Sequence, residues 1–88
     1  MTKQNSIKIT IYHPHFCPMC LFTKKRLTVP FTEVEVDREK DEATLQTFRD
    51  RGFVSFPVVF VYQEGKIIDS WDGYNEKKID EYNRKLTK

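Results

Sequence analysis

Five consecutive residues, Val58-Val59-Phe60-Val61-Tyr62, carry almost no polar character. A strand with one wet face alternates apolar and polar side chains, so an unbroken apolar run of this length reads as a strand buried on both faces. Such a strand sits inside a sheet that is covered on both sides. The remaining segments must supply both the neighbouring strands and the cover.

Ile7, Ile9 and Ile11 alternate with Lys8, Thr10 and Tyr12, the pattern of a strand with one apolar face. It ends at the loop-forming His13-Pro14-His15. From Cys17 to about Thr28, Leu21, Phe22 and Leu27 are interspersed with Lys24, Lys25 and Arg26, which reads as an amphipathic helix closed by Pro30. Pro18 fits the first turn of that helix, where its missing N–H has no intrahelical partner. Phe31, Val34 and Val36 form a β-rich run that closes at Asp37. A second helix is expected over residues 42–51, with Leu45 and Phe48 inward and Gly52 as its stop. Gln63-Glu64-Gly65-Lys66 reads as a hairpin turn, residues 67–71 as its second strand and Asp72-Gly73-Tyr74-Asn75 as a loop. Asn75 is placed to cap a last helix through Ile79, Tyr82 and Leu86. The order is βαβαββα: an α/β chain with a four-stranded mixed sheet and three helices.

Length and charge narrow the classes. The 88 residues make one domain, residues 1–88 with an ordered core over about 7–86, large enough for a thin hydrophobic core. Seven Phe, four Tyr and one Trp supply its bulk. Fifteen basic against thirteen acidic residues leave a net charge of +2, without the clustered basic face that nucleic acid requires. Residues 1–6 are polar, and the first apolar run is too short for a signal-peptide core. No segment approaches a membrane span. The expectation is a cytoplasmic monomer with neither nucleic acid nor membrane as partner.

The two cysteines, Cys17 and Cys20, are three apart. A disulfide between them closes almost no loop and adds little chain-entropy stability, so the pair points to chemistry more than to stapling. Placed where a strand gives way to a helix, Cys17 meets the unsatisfied N–H groups and the dipole of the helix N-terminus, which favour a thiolate, the species that attacks disulfides. Cys17 is then the exposed nucleophile and Cys20, one turn deeper, the resolving thiol. A zinc or iron–sulfur module through Cys17 and Cys20 is the competing reading, with His13 and His15 nearby. A second cysteine pair is lacking, and a proline between thiols at a helix start suits tetrahedral ligation poorly, so the metal ligands expected are none. His15, two residues before Cys17, either supports the thiolate when protonated or is an ordinary exposed imidazole.

These residues resemble a known family. Ile9-Thr10-Ile11-Tyr12, then Pro14 and Cys17-Pro18-Met19-Cys20, is similar to the start of glutaredoxins and of the glutaredoxin-like NrdH redoxins. The run from Gly52 through Phe56-Pro57-Val58-Val59 resembles their second landmark, a proline before a buried strand. Trp71-Asp72-Gly73-Tyr74 resembles the W-x-G-F/Y segment of NrdH redoxins. The resemblance spans nearly the whole chain and implies a thioredoxin-like fold and thiol–disulfide oxidoreductase activity without a tightly bound cofactor. It implies that Pro57 is a cis-proline facing the dithiol, with Phe56 offering its backbone N–H and C=O to a substrate chain. Phe16, Pro18, Met19, Trp71, Gly73 and Tyr74 are the further expected substrate contacts; for Trp71 and Tyr74 the alternative is core or hairpin packing.

The branch sets the electron donor. Glutathione-using glutaredoxins carry a Lys shortly before the first Cys and an acidic Gly-Gly turn before the last helix, and these hold the tripeptide. Here Pro14 stands at about the place of that Lys, Asp72-Gly73-Tyr74-Asn75-Glu76 replaces the turn, and Glu76 repels an anion. The resemblance therefore implies an NrdH-like dithiol reduced by thioredoxin reductase and serving a protein disulfide such as that of ribonucleotide reductase. A glutathione-dependent glutaredoxin is the alternative. Pro18-Met19 is closer to the Pro-Tyr of glutaredoxins than to the Val-Gln of NrdH redoxins, and Phe56 is bulkier than the small residue common before the proline.

Overall fold

A computed structural model describes residues 7–86. Residues 1–6, read above as a polar stretch without a targeting signal, and residues 87–88 lie outside the described residues. The elements follow the expected order: β1 (Ile7–His13), α1 (Pro18–Arg26), β2 (Thr32–Glu35), α2 (Glu42–Asp50), β3 (Val58–Gln63), β4 (Lys66–Asp72) and α3 (Glu76–Leu86). The sheet order is β2-β1-β3-β4. β1 pairs parallel with β2 and antiparallel with β3, and β3 pairs antiparallel with β4. The β3–β4 hairpin turns on Glu64 and Gly65, both at positive φ, the backbone twist that a two-residue hairpin requires.

Burial explains the arrangement. Val58, Val59, Phe60 and Val61 are all buried, as the unbroken apolar run required of a central strand. Their alternation divides the core in two. Val59 and Val61 pack with Ile9, Ile11, Leu27, Val29, Trp71, Ile79 and Tyr82 on one face of the sheet. Val58 and Phe60 pack with Val36, Phe48 and their partly buried neighbours Tyr12, Leu45 and Phe56 on the other. α1 and α3 thus cover the first face and α2 the second. On the α2 side the aromatic rings meet edge to face, with Tyr12 5.3 Å from Phe48 and 5.7 Å from Phe60.

Three local expectations change. α1 stops at Arg26, before Thr28, because Asn83 of α3 takes over its end: Asn83 Nδ2 donates to the Arg26 carbonyl at 2.9 Å, and the Thr28 amide donates to Asn83 Oδ1 at 2.8 Å. The inward face of α1 is not built from Leu21 and Phe22, which are both half exposed. Cys20 and Thr23, three apart, point into the protein, and at 100° per residue Leu21 and Phe22 are carried to the outer side. The buried Thr23 hydroxyl is satisfied by the Met19 carbonyl at 3.0 Å. Asp72, expected in a loop, is the last residue of β4 and lies opposite Val58.

α3 is tied to the sheet by one carboxylate. Asp69 of β4 accepts from Lys78 Nζ at 2.7 Å, from the Tyr82 hydroxyl at 2.8 Å and from the Ser70 amide at 2.8 Å. Asn75 caps the helix as expected, its side chain accepting from the Lys78 amide at 3.1 Å. Burial pushes the Asp69 carboxyl up, but the bonds from Lys78, Tyr82 and Ser70 outweigh it, and the group ionises below the ordinary carboxylate value.

Two outcomes follow. Ile11→Ala removes a fully buried side chain and lowers unfolding stability by about 2–5 kcal/mol in urea titration, whereas Leu21→Ser changes it by less than about 0.5 kcal/mol. A lowered carboxylate pKa adds stability that is present above about pH 4 and lost as the pH falls through the folded-state value. Asp69→Asn therefore lowers stability at neutral pH, and its stability declines less steeply than that of the parent protein below about pH 4.

Candidate functional site

The register brings distant segments together. Tyr12, near the end of β1, pairs with Val58, the first residue of β3, and Val58 also pairs with Asp72, the last residue of β4. The parallel β2 ends at the same level, His13 lying opposite Glu35. The segment carrying Cys17, the loop before Pro57 and the turn at Gly73 therefore emerge from one end of the sheet.

Cys17 is the N-cap of α1, in extended conformation. Its Sγ accepts a hydrogen bond from the Cys20 amide at 3.1 Å, so the sulfur fills the place that a serine or aspartate oxygen takes in ordinary helix caps. Pro18 occupies the first turn, where its lack of N–H costs nothing. No acidic side chain stands in that turn, and Lys24, Lys25 and Arg26 occupy the last. The two cysteines are joined as a disulfide with Cα atoms 5.2 Å apart. They differ in access: Cys20 is buried at 2% exposure and Cys17 is only partly covered. An incoming group reaches Cys17 first.

The other expected residues fall into three sets. Phe16 and Met19 are exposed beside the pair, as is Pro18. Phe56 and the buried Pro57 lie on the loop that leads into β3, joined by a cis peptide bond. The Phe56 ring rests against Phe48 at 6.5 Å, with the Arg38 guanidinium 5.5 Å above it. Gly73 and Tyr74 follow the end of β4, and the Tyr74 ring stands 6.2 Å from Phe22 of α1 and donates its hydroxyl to Glu76 at 3.3 Å. Trp71 stands apart. It is buried at 6% exposure and stacked on Tyr82 at 5.9 Å, which is the core-packing alternative and leaves it without surface for substrate.

The histidines face β2. His15 is exposed, with Nδ1 3.6 Å from Glu35, and His13 lies 3.3 Å from Glu33, which also takes Lys24 Nζ at 2.9 Å. Among the described residues no group of three or more His, Cys, Asp or Glu side chains is placed to hold a metal ion. No helix among them is long and apolar enough to cross a membrane.

Sequence reasoning missed three features. Val54, 93% exposed, adds an apolar side chain to the loop before Pro57; its position among Gly52, Phe53 and Ser55, outside any periodic run, is the signal that was present. Asp72 bonds that loop across 17 and 18 residues, a separation that leaves no local trace. A groove of about 520 Å³ beside Phe16 is lined by Glu35, Asp37 and Glu39 together with His15 and Arg38.

The family model for glutaredoxin matches residues 9–68. Among solved structures, the glutaredoxin-like NrdH-redoxin of Escherichia coli superposes with a TM-score of 0.63 at 25% identity, covering 84% of this chain and 92% of that one. Glutaredoxin 1 of Francisella tularensis gives 0.61 at 20% identity, covering 93% of this chain and 99% of that one. Mitochondrial thioredoxin 3 of Saccharomyces cerevisiae gives 0.60 at 17% identity, covering 96% and 82%. The last two likenesses establish the thioredoxin-like fold. No curated protein sequence matches the chain significantly.

With the disulfide reduced, the Cys17 thiol is expected to titrate below the roughly 8.5 of a free cysteine, read from thiolate absorbance near 240 nm and retained in Cys20→Ser.

Proposed function

The chain belongs to the glutaredoxin family of thiol–disulfide oxidoreductases, and we propose that it works as a dithiol electron donor of the NrdH-redoxin kind. The observation that carries the reading is the Cys17 sulfur set as a helix cap, partly accessible, over a buried Cys20.

The reaction uses this asymmetry. Cys17 thiolate attacks one sulfur of a substrate disulfide, the substrate S–S bond breaks, and the departing sulfur leaves as a thiolate that takes a proton. Cys20 then gives up its proton and attacks Cys17 Sγ. The mixed disulfide breaks, the second substrate sulfur leaves and is protonated, and Cys17–Cys20 becomes the disulfide. Two electrons pass to the substrate, and an external reductant returns the pair to the dithiol. The helix N-terminus favours the thiolate both as attacking group and as leaving group.

We assign thioredoxin reductase as that reductant and a protein disulfide, such as that of ribonucleotide reductase, as the substrate. The support is electrostatic. Glutathione is anionic, and the groove next to Phe16 presents the carboxylates of Glu35, Asp37 and Glu39. Pro14 is buried where a clamping lysine is expected, and Glu76 stands in the first turn of α3. The similar Escherichia coli protein is a glutaredoxin-like protein described as having a thioredoxin-like activity profile. Exposed Phe16, Met19 and Val54 offer apolar contact suited to a folded partner.

Parallel coupled assays test the assignment. NADPH consumption with a disulfide substrate is expected with thioredoxin reductase and to be at least about tenfold slower with glutathione plus glutathione reductase; the reverse ratio overturns it. Cys17→Ser abolishes turnover, and Cys20→Ser accumulates the mixed disulfide, visible by mass spectrometry.

A further inference from the structure

Asp72 grips the loop that leads into β3. Its Oδ2 accepts from the Val54 amide at 2.8 Å, the Ser55 amide at 3.0 Å and the Ser55 hydroxyl at 3.1 Å. The next residue completes the hold: the Gly73 amide donates to the Pro57 carbonyl at 2.8 Å. The approach is close enough that a Cβ on Gly73, at φ +76°, would stand 3.0 Å from Ser55 Oγ. None of these four bonds uses the N–H or C=O of Phe56. The backbone is held on both sides of that residue, and its ring is held by Phe48 and Arg38.

Three donors converging on one oxygen suit a carboxylate, whose charge strengthens each bond. Asp72 has no ion pair among the described residues. Among the described residues its side-chain bonds all go to the loop, at Val54 and Ser55.

We propose that Asp72 is a positioning residue: by fixing the Val54 and Ser55 amides, it holds the Phe56 backbone in the register that a substrate polypeptide needs when it lies beside the dithiol. This rests on the reading of Cys17 as nucleophile with Phe56 facing the substrate. The effect is selective. A disulfide carried on a polypeptide uses the Phe56 edge, and a small disulfide without peptide groups does not.

Single-turnover oxidation of the prereduced protein tests this without any reductase. The probes are insulin, a polypeptide disulfide, and bis(2-hydroxyethyl) disulfide, which has no peptide groups. In Asp72→Ala the second-order rate with insulin is expected to fall about tenfold, while the rate with the small disulfide stays within about twofold. The Cys17 thiolate titration is unchanged, and the Val54 and Ser55 amides exchange with deuterium at least about tenfold faster. Asp72→Asn, which keeps an oxygen without the charge, recovers part of the insulin rate. Ser55→Ala removes one of the three bonds and gives a smaller loss with the same selectivity, which covers the case of an unfolded Asp72→Ala.

Equal losses with both disulfides overturn the proposal, because Asp72 then acts on the dithiol or on general stability. Freed amides with an unchanged insulin rate overturn it too. A parent protein that reduces neither probe sinks the underlying reading along with it, a failure seen before any variant is measured.

Discussion

The first amide hydrogens of a helix have no carbonyl partners, and in α1 one of them is donated to a sulfur. That single bond from the Cys20 amide to Cys17 Sγ fixes the local geometry of the pair. It requires Cys17 to sit in extended conformation just outside the helix and Pro18 to occupy the first turn. Packing then turns Cys20 and Thr23, on one face of the helix, toward the interior. The outward placement of Leu21 and Phe22 is the consequence. A helix turned so that Leu21 and Phe22 faced inward would carry Cys20 out of the core.

The sheet provides the support that this arrangement needs. Its two central strands are covered on both faces, by α1 and α3 on one side and α2 on the other. Their antiparallel pairing places the end of β1 beside the start of β3 and the end of β4. Three loops far apart in the sequence thus share one end of the sheet. α3 is anchored through Asp69, and its Asn83 in turn closes the end of α1. The helix bearing the reactive pair is braced at its start by its own cap and at its end by another helix.

Charge around the pair is unevenly distributed. Glutamates and an aspartate gather on the β2 side, where the histidines turn toward Glu33 and Glu35. Phe16 and Met19 are exposed beside the pair, and Val54 is exposed on the loop before Pro57. The groove beside Phe16 mixes three carboxylates, Glu35, Asp37 and Glu39, with Arg38 and His15.

Much of this was legible in the residues. The apolar run at Val58–Val61, the alternation Ile7, Ile9, Ile11, the Glu64-Gly65 turn and the Asn75 cap are local patterns, and local backbone physics turns them into the observed elements. Cys17 and Cys20 were legible for the same reason: their spacing and their place before a helix are properties of one short segment. The orientation of α1 was not, because Leu21 and Phe22 are as apolar as the residues that a core selects, and only the packing of Cys20 and Thr23 decides which side faces in. Trp71 could have been surface or core until its stacking on Tyr82 placed it. Asp72 is the clearest case: nothing in its neighbours foretells a carboxylate that bonds residues 54 and 55, since that contact exists only once the strands on either side of the hairpin are paired. Short-range patterning determined the elements and the reactive pair, while long-range pairing decided which side chains hold that pair and the loop before Pro57 in place.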